Sequence, residues 1–265
     1  IGEERFRREH ECEFLIFDET LINSVTLAEM EGTSPVETTG QVRWFKRPVP
    51  GMTYLTSLDP SMGTGGDFAA IQVFELPSFE QVAEWQHNMT PMNQQVRVLQ
   101  SINKHIHDSI MEKDSTATPQ VFYSMENNTI GEAALMRVMD IGEENIVGMF
   151  LSEPIRKGHR RKFRRGFNTT AKHKIDACTK FKELVESGKM RINSKLLISE
   201  LKDFVATGMS YKAKPGQHDD LVSSCLLMTR MMKVLADFDP KIFEKWTDRS
   251  SELTTPMPIF ANLYG

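Results

Sequence analysis

Three apolar runs joined by two short turns, followed by a change of hydrophobic period, leave few folds open to this chain. Residues 52–58 are strand-like and end at Asp59-Pro60. The glycine-rich Ser61-Met62-Gly63-Thr64-Gly65-Gly66 turns the chain into a second run, residues 68–76. Pro77-Ser78 turns it into a third, residues 79–86. Strands joined this closely read as an antiparallel meander. Val96, Leu99, Ile102, Ile106 and Ile110 then recur every three to four residues, the period of an amphipathic helix. Val121-Phe122-Tyr123 is a short buried strand, a helix capped by Thr129 runs through Met139, and residues 146–151 form a fifth strand. Helices follow over residues 173–186, from a Ser194 cap to about Ala206, and from Asp219 to about Leu235, with residues 190–192 as a candidate edge strand. The order β-β-β-α-β-α-β-α predicts an α/β fold: a mixed sheet, antiparallel meander plus parallel strands, with helices on both faces.

Composition narrows the class. At 265 residues, 40% hydrophobic and 26% charged, the chain is globular rather than disordered or collagen-like. No stretch reaches the ~18 uninterrupted apolar residues of a membrane span. Cys12, Cys178 and Cys225 are odd in number and far apart, which argues against a disulfide framework and for a reducing compartment. Pro48-Val49-Pro50-Gly51 is a turn or linker signal, so the main domain is expected over residues 51–238. Residues 1–50 then form a polar lead-in with an apolar anchor at Phe14, Leu15, Ile16, Phe17, Leu21 and Ile22. Residues 239–265, with Pro240, Pro256 and Pro258, are expected to be a loosely ordered tail. A chain opening on Ile1 with no signal-peptide pattern is expected to be a piece of a longer protein.

The positions of the acids carry the chemistry. Asp59 ends the first strand of the meander, Glu126 follows the fourth strand, and Asp219 and Asp220 open the last helix. If the first and fourth strands are parallel neighbours, Asp59 and Glu126 meet at one sheet edge, and a helix starting over that edge adds a third carboxylate. Carboxylates without thiolate or histidine partners are hard oxygen ligands suited to Mg²⁺ or Mn²⁺. Two such ions ~3.5–4 Å apart can hydrolyse a phosphodiester. Each acid alone has a plainer reading: a turn aspartate, a strand-end charge, a helix N-cap. The joint pattern favours catalysis. Asp67, just past the glycine turn, either points back at the same site or closes the hairpin. The glycine turn lacks a following Lys-Ser/Thr and joins strand to strand, so a positive-φ hairpin suits it better than a phosphate loop.

Net charge is −4, yet residues 153–174 hold nine Lys/Arg against Glu153 alone. Arg156, Lys157, Arg160, Arg161, Lys162, Arg164 and Arg165, with Lys172 and Lys174 beyond them, are therefore expected to contact the phosphates of DNA.

Three segments together resemble a known family: residues 57–68 around Asp59 and the glycine turn, Tyr123-Ser124-Met125-Glu126-Asn127-Asn128, and Gly216-Gln217-His218-Asp219-Asp220-Leu221-Val222. Over about residues 1–235 the chain is similar to the nuclease domain of the large terminase subunit of tailed bacteriophages, most of all the contractile-tailed branch. The resemblance implies an RNase H-like fold and a metal-dependent endonuclease that cuts concatemeric double-stranded viral DNA at the start and end of packaging. It gives metal-ligand and catalytic roles to Asp59, Glu126 and one or both of Asp219 and Asp220, with Asp67 as an accessory acid, and one or two Mg²⁺ or Mn²⁺ ions as cofactor. It implies that residues 1–50 lead in from an ATPase region. No Walker A sequence occurs in the 265 residues, so that region is expected on a missing part of the protein. Double-stranded DNA, the portal protein and the small terminase subunit are the implied partners, without a membrane. The implied location is the host bacterial cytoplasm, transiently at the procapsid portal. A catalytically silent DNA-grip or portal-docking module, or another RNase H-like nuclease such as a junction resolvase or transposase, are the alternatives.

Overall fold

The structure, a computed structural model, describes residues 19–153 and 165–238. A seven-stranded mixed sheet organises them. Its strands are β1 (Glu37–Thr39), β2 (Val42–Trp44), β3 (Thr53–Asp59), β4 (Ala69–Leu76), β5 (Glu80–His87), β6 (Gln120–Met125) and β7 (Met149–Phe150), in the spatial order β1-β2-β5-β4-β3-β6-β7. The meander β3-β4-β5 is antiparallel as expected, while β6 lies parallel to β3 and β7 parallel to β6.

Helices cover both faces. The α1 helix (Ser24–Glu29) precedes the sheet, α2 (Met92–Lys113) and α3 (Thr129–Ile141) lie on one side of it, and α4 (Ala171–Glu186), α5 (Lys195–Asp203) and α6 (Asp220–Phe238) on the other. The alternation within β3 shows why. Tyr54 and Leu58 join the core with Val96, Leu99, Ile102, Ile106 and Ile110 of α2. Leu55 joins a second core with Phe181 of α4, Leu201 of α5 and Leu221, Val222 and Met228 of α6. A strand buried on both faces reads as a nearly continuous apolar run, and all eight residues of β4 are buried. Ser57 is the polar exception on the second face. Its Oγ donates to the Ser224 carbonyl at 2.8 Å, and the Ser224 Oγ donates to the Ser57 carbonyl at 3.0 Å. This reciprocal pair bolts α6 to β3 two residues before Asp59.

Several expectations shift. The sheet runs across the Pro48–Gly51 turn, because β1 and β2 pair through β2 with β5, so the boundary expected there does not separate the sheet from the lead-in. Leu21 and Ile22 are buried in the core, while Phe14 to Phe17 of the same expected anchor lie outside the described residues, as does the tail. The fifth strand is only Met149–Phe150. Residues 190–192 make a single bridge, Glu80 to Arg191, rather than a strand. Asn128, not Thr129, caps α3, its Oδ1 accepting from Gly131 N–H at 2.7 Å. The helix capped by Ser194 stops at Asp203, and β8 (Phe204–Thr207) and β9 (Ser210–Ala213) form a separate hairpin. Its Val205 and aromatic Phe204 and Tyr211 suit a strand, but Ala206 and Lys212 dilute the period-two signal.

Candidate active site

Strand register assembles the acids. Asp59 of β3 pairs with Ala70 of β4, and Ala70 pairs with Gln86 of β5. On the other flank Leu58 pairs with Met125, and the Glu126 N–H donates to the Leu58 carbonyl at 3.2 Å. Glu126, Asp59, Ala70 and Gln86 therefore form one row across the sheet, at the carboxyl ends of the parallel strands β3 and β6. Such ends are where open α/β sheets hold their ligands. Successive residues of a strand alternate faces, and Ser57 already shows that the Asp59 face meets α6.

Glu126 is held from the turn behind it, where Asn128 Nδ2 donates to its Oε2 at 3.1 Å. The first turn of α3 packs so closely beneath that a Cβ at Gly131 would overlap the Glu126 carbonyl oxygen and carbon. Backbone atoms on both sides leave no flexible group to yield. Gly131→Ala is therefore expected to displace Glu126 and to destabilise the fold by about 1–3 kcal/mol, the usual cost of overpacking, measured by denaturant unfolding. An unchanged midpoint would show that the α3 turn can move away freely.

The start of α6 brings the second pair. Asp219 sits just before the helix, and its Oδ2 accepts from the Ala213 N–H of β9 at 3.2 Å and lies 4.0 Å from Lys174 Nζ. Asp220 accepts from the Phe68 N–H, while its Oδ2 is buried without a hydrogen bond, 3.5 Å from His218 Nδ1. Burial, then the repulsion of Glu126, Asp220 and Asp219, pushes the Asp59 carboxyl well above the usual carboxylate range. Burial is also the main cause that raises Asp220 to about 6, with Asp219 and, more weakly, the exposed Asp67 adding to it. The structure thus crowds Asp59, Glu126 and Asp220 together, turns Asp219 toward the β8–β9 hairpin, and leaves Asp67 on the outer rim.

Asp59 and Glu126 open into a cleft of about 160 Å³ that Lys174 and Ala177 of α4, Ser223, Leu226, Leu227 and Arg230 of α6, and Thr169 also line. A family model, the Terminase RNaseH-like domain, matches residues 56–231. The chain belongs to this family. Among solved structures it is similar to the large terminase nuclease of the thermophilic phage G20c, at TM-score 0.59 and 16% identity over 80% of this chain and 98% of that one. It is likewise similar to the large terminase nuclease domain of Thermus phage P74-26, at TM-score 0.55 and 18% identity over 78% of this chain and 94% of that one. At these identities the likeness shows the fold, which is RNase H-like.

Within this terminase-family cleft the basic residues divide. Arg156, Lys157, Arg160, Arg161, Lys162 and Arg164 lie outside the described residues. Arg165 ion-pairs with Glu143 and packs over the Phe150 ring, 5.5 Å from its centroid, so its charge is already engaged. Lys172 is exposed on the first turn of α4. Lys174 lines the cleft itself. Sequence reasoning passed over Arg230. Its guanidinium pairs with Glu153, donates to Thr169 Oγ1 and the Asn168 carbonyl, both at 2.9 Å, and stacks over Phe167. A signal was there: Asp219, Ser223, Leu226 and Arg230 fall at the 3.6-residue spacing of one helix stripe.

The donors suit a hard divalent ion. Asp59 and Glu126 are close enough to hydrogen-bond when a proton sits between them, which is the repulsion a cation relieves, and the buried Asp220 Oδ2 has no hydrogen bond of its own. Among the described residues no three His, Cys, Asp or Glu side chains close into a finished ligand set. Water and substrate oxygens would have to complete the shell, as is usual for Mg²⁺.

Proposed function

We infer that this chain is the metal-dependent nuclease domain of a viral DNA-packaging terminase. The observation that carries the reading is the convergence of Asp59, Glu126 and Asp220 from two parallel strand ends and a helix start, within the terminase RNase H-like family. We propose more finely that it is an endonuclease of concatemeric double-stranded DNA, that its ions are Mg²⁺ or Mn²⁺, and that it works with a portal and a small terminase subunit in the host cytoplasm. The G20c nuclease was solved with magnesium, with cobalt and with zinc bound, which supports a divalent ion of this general kind here. We assign Asp59, Glu126 and Asp220 to hold it, with Asp219 and Asp67 in supporting positions.

Divalent ions supply a lowered water pKa and stabilisation of the leaving oxygen in phosphodiester hydrolysis. The chain supplies the rest. Its fixed carboxylates cost no reorganisation at the moment of reaction. Lys174 and Arg230 place positive charge on the cleft wall beside two acids, so a bridging phosphate entering there meets cations as well as carboxylates. Arg230 is tethered at four partners and can orient a phosphate only from a fixed position.

The test is nicking of supercoiled plasmid by this fragment in Mg²⁺ or Mn²⁺. Cutting that stops with chelator supports the reading. Tight DNA binding without cutting in any divalent ion would make the chain a grip module instead. In the same assay set, neutralising Arg160, Arg161 and Arg164 together is expected to weaken DNA binding regardless of sequence. Every phosphate that no longer meets a cation should flatten the slope of log K against log salt by ~0.9. An unchanged slope would remove the basic segment from the DNA interface.

A further inference from the structure

The first amide groups of a helix have no partner within it and need one from outside. The usual solution is the side chain of the residue just before the helix, accepting from the second or third N–H. In α6 that residue is Asp219, and its carboxylate is turned away to Ala213 N–H at 3.2 Å. The amides are satisfied from another helix. Glu200 of α5 accepts from the Val222 N–H through Oε2 at 3.1 Å, with the Leu221 N–H also acting on its carboxyl. Its other oxygen, Oε1, accepts from Gln86 Nε2 at 2.8 Å.

Gln86 is what makes this contact matter to the site. It stands in the sheet row Glu126, Asp59, Ala70, Gln86. One carboxylate thus joins the row that carries Asp59 to the helix turn that carries Asp220. We propose that Glu200 is a positioning residue for the metal-holding acids: by capping α6 from α5 while gripping Gln86, it sets Asp220 at a fixed reach from Asp59 and leaves Asp219 free for the hairpin. Glu200 touches no reacting atom in this scheme. The proposal rests on the reading of Asp59, Glu126 and Asp220 as ion ligands.

The chemistry predicts a distinctive pattern of substitutions. Glu200→Gln keeps length and an accepting oxygen, and the Gln86 amide can flip to receive its NH₂, so metal affinity should stay close to wild type. Glu200→Ala removes the cap and the grip. Glu200→Asp keeps the carboxyl group but falls one methylene short of spanning both. The test is Mn²⁺ binding by titration calorimetry at low temperature, corrected for the folded fraction from circular dichroism, with plasmid nicking measured alongside. Ala and Asp are expected to weaken Mn²⁺ affinity by roughly 10–100-fold, the cost typical of losing a group that orients metal ligands. Nicking should fall through kcat with KM for DNA little changed, and Gln should restore both.

A purely structural role would lower thermal stability but leave the affinity of the folded fraction untouched, and that result would overturn the proposal. Should Glu200→Ala not fold, the Asp and Gln variants decide: equal affinity in the two overturns it. If the wild type binds no divalent ion, the metal reading itself fails and the proposal falls with it. If the wild type binds and all three variants bind equally, only the proposal fails.

Discussion

Asp59→Asn, Glu126→Gln and Asp220→Asn are each expected to abolish plasmid cutting, by about 10²–10³-fold or more on the scale of removing a principal preorganised charge, while the protein stays folded. The three changes are not equivalent in stability. Asp59 is buried against Glu126 and is raised by burial and by its acidic neighbours, so neutralising it removes repulsion, and metal-free stability should hold or rise. Glu126 is tied to Asn128, and an amide there keeps an acceptor. Asp219→Asn is expected to cut far better than the other variants, because the Asp219 carboxylate is directed to Ala213 and Lys174 rather than to Asp59. Nicking rates in Mg²⁺ and Mn²⁺, with circular dichroism as a fold control, check the set. Wild-type cutting by Asp59→Asn or Asp220→Asn would remove that residue from the ligands, and a dead Asp219→Asn would reverse the order given to the two neighbouring aspartates.

The second large effect is on stability against pH. Asp220 is raised to about 6 and Glu200, chiefly by burial, to about 8. A carboxyl whose pKa is higher folded than unfolded binds its proton better in the folded state. Its contribution to stability is full below the unfolded value and is lost as pH rises through the folded one. The metal-free domain should therefore melt at a higher temperature near pH 5 than near pH 8.5, the loss from Asp220 ending near pH 6 and that from Glu200 running on to about 8. Solvent screening reduces what Asp220 contributes to about 1–2 kcal/mol, a few degrees in Tm for a domain of this size. A divalent cation takes the place of the proton. At ten times its Kd it should return about 1.4 kcal/mol at high pH. Asp220→Asn should remove the part of the loss that ends near pH 6 and leave the part that runs on to about 8. Scanning calorimetry in chelator across that range is the measurement. A Tm that climbs from pH 5 to 8.5 would mean that the acids are not desolvated as described.

Much of this site is legible in the sequence, for a definite reason. Asp59 and Glu126 stand at places where hydrophobic runs stop, and strand ends on a mixed sheet converge, so pattern alone predicts their meeting. What pattern cannot give is side-chain direction. Nothing in Asp219-Asp220 says which carboxylate turns toward Asp59, because that is decided by Ala213 on a hairpin whose period is too weak to see. Glu200 is invisible for a related reason. It looks like any glutamate on an amphipathic helix, and its role depends on Gln86, 114 residues away. The extent of the sheet escapes the sequence because β1 and β2 are three residues each, too short for alternation to register. Arg165 is misjudged through its composition: seven basic residues in ten positions suggest one common role, whereas Glu143 and Phe150 give this one a local partner.

The stalks of the basic segment have a consequence for how such a chain can change over generations. The Glu153 N–H donates to the Gly166 carbonyl at 3.3 Å, the Gly166 N–H to Ser152 Oγ at 3.1 Å, and Arg230 bonds Glu153 on one side and Asn168 and Thr169 on the other. Entry and exit are stapled to each other and to α6. Insertions, deletions and charge changes between residues 154 and 164 then fall between two ends that are already tied together. Doubling such a loop costs only about 0.6 kcal/mol in closure entropy. The two ends and the carboxylates are thus held independently of what lies between those ends. Length and charge there can drift while Asp59, Glu126 and Asp220 stay where the sheet and α6 put them.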